Sequence, residues 1–299
     1  MKDIKKILEL IKAEKQRFRK PTRAAQGQPQ PTLPANRIAK RRQRAPQHRG
    51  IVGVTLKPYM GLTNMLYSLG ALATYAKTYG MAIHWPNLNS TVTGKGPHLP
   101  MSQIFDVALM RGLGVEWSDR RPTQTKHGWS LVHWARRSNP GLYRSFLDRC
   151  RIAAPLRTRV ATALAGVPKP FVVLHPRVEA DWQANRVSVK RRFITAPEIL
   201  TFVKTCQDQM EAVKAWVVIG DRNPAIQTLT ESMSTLLKLP IYHALDLLHP
   251  LTHKTTYTHK SALAFQMALQ AHKFIGCPGS TFSHEVCARL GKPKAMFYS

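Results

Sequence analysis

Phe171-Val172-Val173-Leu174-His175-Pro176-Arg177 decides how this 299-residue chain is read. Four consecutive apolar residues followed at once by polar ones are the pattern of a strand covered on both faces, with a C-terminal end that opens onto solvent or ligand. The same pattern repeats downstream. Trp216–Gly220, Ile241–Ala244, Lys273–Cys277 and Ala295–Tyr298 read as strands. They are separated by helical patterns over Ala196–Ala212, Ala225–Lys238, Lys260–Ala271 and Phe282–Leu290. Pro197 near the start of the first of these suits a helix N-terminus, where its missing N–H costs nothing. Upstream, Ile51–Thr55 and Met81–Trp85 read as strands around a helix at Leu62–Tyr79. Between the two regions the pattern predicts a loop at Thr91–Pro100, a short helix at Ser102–Met110, a strand at Val115–Trp117, and helical patches at Gly141–Cys150 and Pro155–Ala165. Apolar strands alternating with amphipathic helices predict an α/β fold with parallel sheets. Two Rossmann-like halves, 51–168 and 169–299, would meet near Val167–Pro170. Ligands in such folds bind beyond the C-terminal ends of the strands.

Composition narrows the classes of function. A hydrophobic fraction of 43% is enough for a large core, and 45 Lys+Arg against 16 Asp+Glu give a formal charge of +29. No run approaches the roughly 18–20 apolar residues of a spanning helix, and Met1–Lys6 leads into no signal-peptide core. A soluble protein of the cytoplasm or an organellar matrix is the expectation. Cys150, Cys206, Cys277 and Cys287 have neither metal-ligand spacing nor the density of a disulfide framework, so buried free thiols are expected. Residues 1–50 hold 15 of the basic residues and 3 of the acidic ones. Ile4, Ile7, Leu8, Ile11 and Phe18 give that arm a short amphipathic helix, and the Pro/Gln/Arg-rich remainder cannot offset its ordering entropy. Such an arm suits RNA or another polyanion, with binding that weakens as salt rises.

Three polar clusters fall where a nucleotide-binding cleft needs them. Gly61-Leu62-Thr63-Asn64 opens the first helix, where unpaired N–H groups receive anions. His175 and Arg177 leave the strand at Leu174, and a guanidinium offers a fork of donors to phosphate, although Glu179 or Asp181 can also pair with it. Gly279-Ser280-Thr281-Phe282-Ser283 links a strand to a helix: Gly279 frees the turn, the hydroxyls and N–H groups can cradle phosphate, and Phe282 can wall the site. An ordinary Ser/Thr helix cap is the competing reading of that turn.

On these three motifs residues 50–299, apart from the unmatched middle, resemble the protein O-fucosyltransferase superfamily of GT-B-like inverting glycosyltransferases. That family has a Gly-x-x-Asn turn before a long helix, a strand ending in His-x-Arg with Asp-Trp beyond, and a Gly/Ser-Ser/Thr-Phe turn before a helix. The resemblance implies transfer of a sugar, typically fucose from GDP-fucose, to a glycan or protein acceptor, with inversion and without a metal or other cofactor. It implies that Arg177 neutralises the leaving diphosphate, that Ser280, Thr281 and Phe282 with Gly61 and Gly279 hold it, and that Asn64 and His175 line the donor or acceptor site. Lys57-Pro58-Tyr59-Met60 supplies no carboxylate base, which leaves Glu179 or Asp181. The alternative is a catalytically silent scaffold of the same fold, bound to RNA in a ribonucleoprotein such as an organellar ribosome. In that case the cleft is expected to be plugged by side chains.

Overall fold

The computed structural model describes residues 50–57, 60–89, 98–108, 114–188, 192–210, 212–249, 256–291 and 293–298. The basic arm, most of the loop expected at 91–100 and the end of the expected Ser102–Met110 helix lie outside them. Residues 48–299 form one compact unit.

Its first sheet is built from β1 (Ile51–Thr55), followed by helix α1 (Leu62–Tyr79), and β2 (Ala82–Ile83). A hairpin of β3 (Leu88–Asn89) and β4 (His98–Leu99) precedes a 3-10 turn at Met101–Gln103, and β5 (Gln124–His127) runs directly into α2 (Gly128–Ser138). The order is β2-β1-β5, all parallel. The expected strand at Val115–Trp117 contributes one bridge, Trp117 to Ile83. Two helices, α3 (Pro140–Arg149) and α4 (Ala154–Ala163), lead to the second sheet.

That sheet starts at β6 (Phe171–Leu174), followed by α5 (Ala180–Ser188), α6 (Ala196–Thr205), β7 (Ala215–Val218) and α7 (Pro224–Leu237). β8 (Ile241–His243), α8 (Ala244–Leu248), α9 (Tyr257–Ala268), β9 (Lys273–Gly276), α10 (Thr281–Leu290) and β10 (Ala295–Phe297) complete it. The order is β10-β9-β6-β7-β8, parallel throughout. Every residue of β6 and β7 is buried, because side chains alternate between two covered faces. Phe171, Val173, Ala215 and Val217 join a cluster with α1 and α9, whereas Val172, Leu174, Trp216 and Val218 join one with α6 and α7. The first cluster continues through both sheets, so they share one apolar core.

Several expectations shift. The Ser102–Met110 segment opens as the 3-10 turn, with Phe105 bridged to Ile152. The helix expected to reach Ala212 stops at Thr205 and tightens into a 3-10 turn at Gln207–Met210. β5, α2 and α5 have no counterpart in the sequence reading. All four cysteines are free, with Cys150, Cys206 and Cys277 buried; burial pushes the Cys150 thiol up to about 12. No helix among the described residues is long and apolar enough to cross a membrane.

Register fixes where a ligand can sit. Leu174 lies opposite both Val218 and Ile275, and the ladder closes with His175 N–H to Ile275 O (2.9 Å) and Ile219 N–H to Leu174 O (2.8 Å). The segments leaving β6, β7 and β9 therefore emerge level on one edge. α1, packed on β1 and touching α10, brings its own N-terminus to the same place.

Candidate functional site

Gly61 is the N-cap of α1, and a run of Leu, Met and Ala then drives the helix into the core. Ser68 and Thr74 are buried inside it at no cost in orphaned hydroxyls: they donate to Asn64 O (3.0 Å) and Gly70 O (2.8 Å). The helix ends at Gly80, whose φ of 64° is the left-handed value a glycine accepts without strain. Gly61 has an ordinary φ of −68°, and a Cβ added to it would meet no atom within 4 Å. Neither backbone strain nor packing against protein therefore explains the glycine. It faces open space.

That space is a cavity of roughly 590 Å³. Gly61, Thr63 and Asn64 line it from α1; His175, Arg177 and Glu179 from the end of β6; Ser280, Thr281 and Phe282 from the start of α10. Thr63 Oγ1 and Thr281 Oγ1, 218 positions apart, are in hydrogen-bond contact at 3.0 Å. The three clusters found in the sequence meet in one place, and the cleft is not plugged. Gly279 is not on the wall. Its φ of 82° makes the turn, and a Cβ there would stand 2.7 Å from Arg186.

Arg177 is held from three directions. Its backbone N–H donates to Tyr298 Oη (3.1 Å), its Nε–H to Glu179 Oε2 (2.9 Å), and its guanidinium lies 4.7 Å from the Trp182 ring centroid. The pairing with Glu179 that sequence alone left open is thus present, inside the cavity wall. Asp181 lies in α5, and its side chain is outside the described residues. His175 is buried against Phe282, ring centroids 4.6 Å apart, and its Nδ1 lies 2.8 Å from the Ser283 hydroxyl, which also accepts from Cys277 N–H (2.9 Å). Burial, reinforced by the charge of Arg177, pushes the imidazole down to about 3. The ring is neutral near pH 7, so it offers the site a hydrogen bond and not an ionisable proton.

Ser280 occupies the N-cap position of α10 but makes no side-chain cap bond, and Gly61 has no side chain to make one. By contrast α3, α7 and α9 are capped by Asn139, Asn223 and Thr256. α2 and α4 also start without a side-chain cap, but the N-termini of α1 and α10 are uncapped ones that lie on the cavity. Asn64 Oδ1 is buried without a hydrogen-bond partner, a cost a ligand hydroxyl would remove.

The cavity also contains residues that sequence reasoning missed. Gly220 and Asp221 leave β7 on the edge from which His175 leaves β6, and that strand-end rule could have found them. Leu245 and Leu248 from α8 supply an apolar flank. Tyr257, Lys260, Ser261 and Ala264 form one stripe of α9, at the i, i+3, i+4, i+7 spacing of a single helix face.

No protein-family model matches the sequence, and no curated protein sequence does. Solved structures do. The chain is similar to POFUT1 in complex with GDP-fucose, at a TM-score of 0.60 and 15% identity over 85% of this chain and 99% of that one. POFUT1 in complex with GDP gives 0.59 and 15% over 83% and 98%, and its apo form gives 0.60 and 14% over 86% and 99%. At such identity the likeness is one of fold. The chain has the GT-B-like α/β fold seen in fucosyltransferase structures.

Proposed function

We propose that the cavity binds a nucleoside-diphosphate sugar, of the GDP-fucose type, and that the chain transfers the sugar to an acceptor hydroxyl of a glycan or protein with inversion. The observation that carries this is the meeting of the Asn64, Arg177 and Ser280–Phe282 clusters around one open cavity. POFUT1, which shares the fold, is solved with GDP-fucose and with GDP. In the reaction the acceptor oxygen attacks the anomeric carbon from the face opposite the diphosphate. The carbon–oxygen bond to phosphate breaks with its electron pair leaving on the diphosphate, and the acceptor loses its proton.

Charge growing on that diphosphate is the barrier the site must lower. A guanidinium fixed by Glu179 and Trp182, on a backbone held by Tyr298, is preorganised for this, and the first N–H groups of α10 add donors that need no reorientation. These groups take the part that a metal plays elsewhere, so no metal is invoked. Asn64 would orient the sugar, Gly61 would let it approach closely, and His175 would hold the wall with Ser283 and Phe282. Glu179 shares Arg177 with the leaving group, so it lies on the wrong side for the acceptor's proton. Asp221, the other carboxylate on the wall, is the group left to take that proton.

Halves 51–168 and 169–299 would present acceptor and donor respectively. The alternative, an RNA-bound scaffold, carries the expectation of a plugged cleft, and the open cavity favours the transfer reading over it. The test is donor turnover and binding together: GDP-fucose with hydroxyl acceptors, and calorimetric titration with GDP, UDP and ADP. Transfer or nucleotide binding that disappears in Arg177→Ala, with the circular dichroism spectrum unchanged, supports the reading. Wild-type protein that binds none of the three nucleotides overturns it.

A further inference from the structure

The cavity contains a second cation, Lys260, besides Arg177. Lys260 lies in the first turn of α9, is exposed, and makes no hydrogen bond or ion pair through its ammonium among the described residues. A lysine at that position opposes the helix macrodipole, whose positive end is the N-terminus. Acidic residues normally gather there; the first turns of α1, α9 and α10 on this cavity contain none, as in most helices of this basic chain, whereas α8 on the same wall has Asp246. Three like-signed helix ends with Arg177 and Lys260 make a local positive field that only Glu179 and Asp221 on the wall offset.

Geometry brings Lys260 towards the start of α10. Phe265, five residues further along α9, packs edge-on against Phe282 at 5.6 Å between ring centroids. Lys260 lies about 140° around the helix from Phe265, on the stripe with Ser261 and Ala264 that lines the same cavity as Ser280, Thr281 and Phe282. Tyr257, 39% exposed at the rim, stands one turn before Lys260 on the same stripe.

We propose that Lys260 is a second phosphate-binding cation, acting with Arg177, and that it makes this cavity selective for a nucleoside diphosphate over the corresponding monophosphate. The inference rests on the nucleotide-sugar reading and deepens it. Arg177 and the first turn of α10 meet one phosphate group, and Lys260 meets the other as a mobile point charge that follows the leaving diphosphate.

The experiment compares GDP and GMP binding by calorimetry in wild-type protein, Lys260→Ala, Lys260→Arg and Arg177→Ala, at two salt concentrations. Lys260 is exposed, so its variants are expected to fold, which circular dichroism checks. Loss of one charge-assisted contact predicts about tenfold weaker GDP binding in Lys260→Ala, GMP affinity changed less than about twofold, and a flatter salt dependence for GDP. Lys260→Arg should recover most of the loss. Equal weakening for GDP and GMP, or unchanged GDP affinity in Lys260→Ala while Arg177→Ala loses it, would overturn the role of Lys260 and leave the cavity reading standing. Failure of wild-type protein to bind GDP at all would overturn both.

Discussion

The two ends of α10 hold polar clusters of opposite design. In its second turn Glu285, 1% exposed, accepts from Arg144 Nη1 (3.1 Å), Arg144 Nη2 (3.2 Å) and Arg289 Nε (2.8 Å). Arg289 spends its remaining donors on Cys150 O (3.0 Å) and Leu147 O (2.7 Å), and Arg144 also pairs with Asp148. That cluster is closed: every charge has its partner, and the partners tie α3 to α10. The first turn is open. Ser280 caps nothing, Thr281 touches Thr63, and Arg177 on the same cavity is positioned by neighbours within its wall. The Glu285 charges are buried and paired among themselves, whereas Arg177, although paired with Glu179, keeps a place on the cavity wall.

The largest effect is expected at the closed end. Glu285→Ala leaves two guanidinium groups without their shared acceptor, and stability should fall by about 3–5 kcal/mol, read by urea denaturation. A loss below about 1 kcal/mol would mean the cluster is dispensable and the contrast false. At the open end the ranking reverses. Arg177→Ala should cost about a hundredfold in GDP affinity, as when a charged hydrogen-bond partner is removed from a site, with a smaller change in the urea midpoint than Glu285→Ala. Wild-type GDP affinity in that variant would erase the distinction.

His175 sharpens the comparison through pH. The imidazole titrates near 6.5 when unfolded and near 3 when folded. Between those values the unfolded chain binds the extra proton, so its contribution to stability is complete above pH 6.5 and is lost as pH falls towards 3. Up to about 1.4 kcal/mol per pH unit follows. Denaturation of wild-type and His175→Asn protein at pH 7 and 5.5 should converge at the lower pH, and parallel curves would show that the imidazole is not held neutral.

The smallest effects belong to two glycines on the cavity. Gly61→Ala should leave stability within about 0.5 kcal/mol while weakening GDP-fucose binding several-fold, since the new methyl enters ligand space. Gly220→Ala would place a Cβ 2.5 Å from Ile226 Cδ1 and should cost about 1–3 kcal/mol. Equal behaviour of the two would remove the reason for calling Gly61 a ligand-facing residue.

Much of this was legible in the sequence because the deciding elements carry strong local signals. Leu62–Tyr79 has a helical apolar period bounded by Gly61 and Gly80, and its observed limits are the expected ones. Phe171–Leu174 is apolar on both faces, so it could only be a covered strand. β5 was missed for the converse reason: Gln124-Thr125-Lys126-His127 pairs through its backbone at a sheet edge and shows no apolar pattern. The Tyr257–Ala264 stripe escaped notice because α9 has two functional faces. Ala262, Leu263 and Phe265 give it a core period that hides the cavity period of the residues between them. Motifs at strand ends could be anticipated from topology, whereas a wall contributed by the flank of a helix needed the packed fold.

The most direct test is a crystal structure of the protein grown with GDP-fucose. The account predicts diphosphate oxygens within about 3 Å of the Arg177 guanidinium and of the first N–H groups of α10, the usual reach of a charge-assisted hydrogen bond, with the sugar between Asn64 and Gly61. Nucleotide bound away from Arg177, or a cavity still empty at saturating donor, would contradict it.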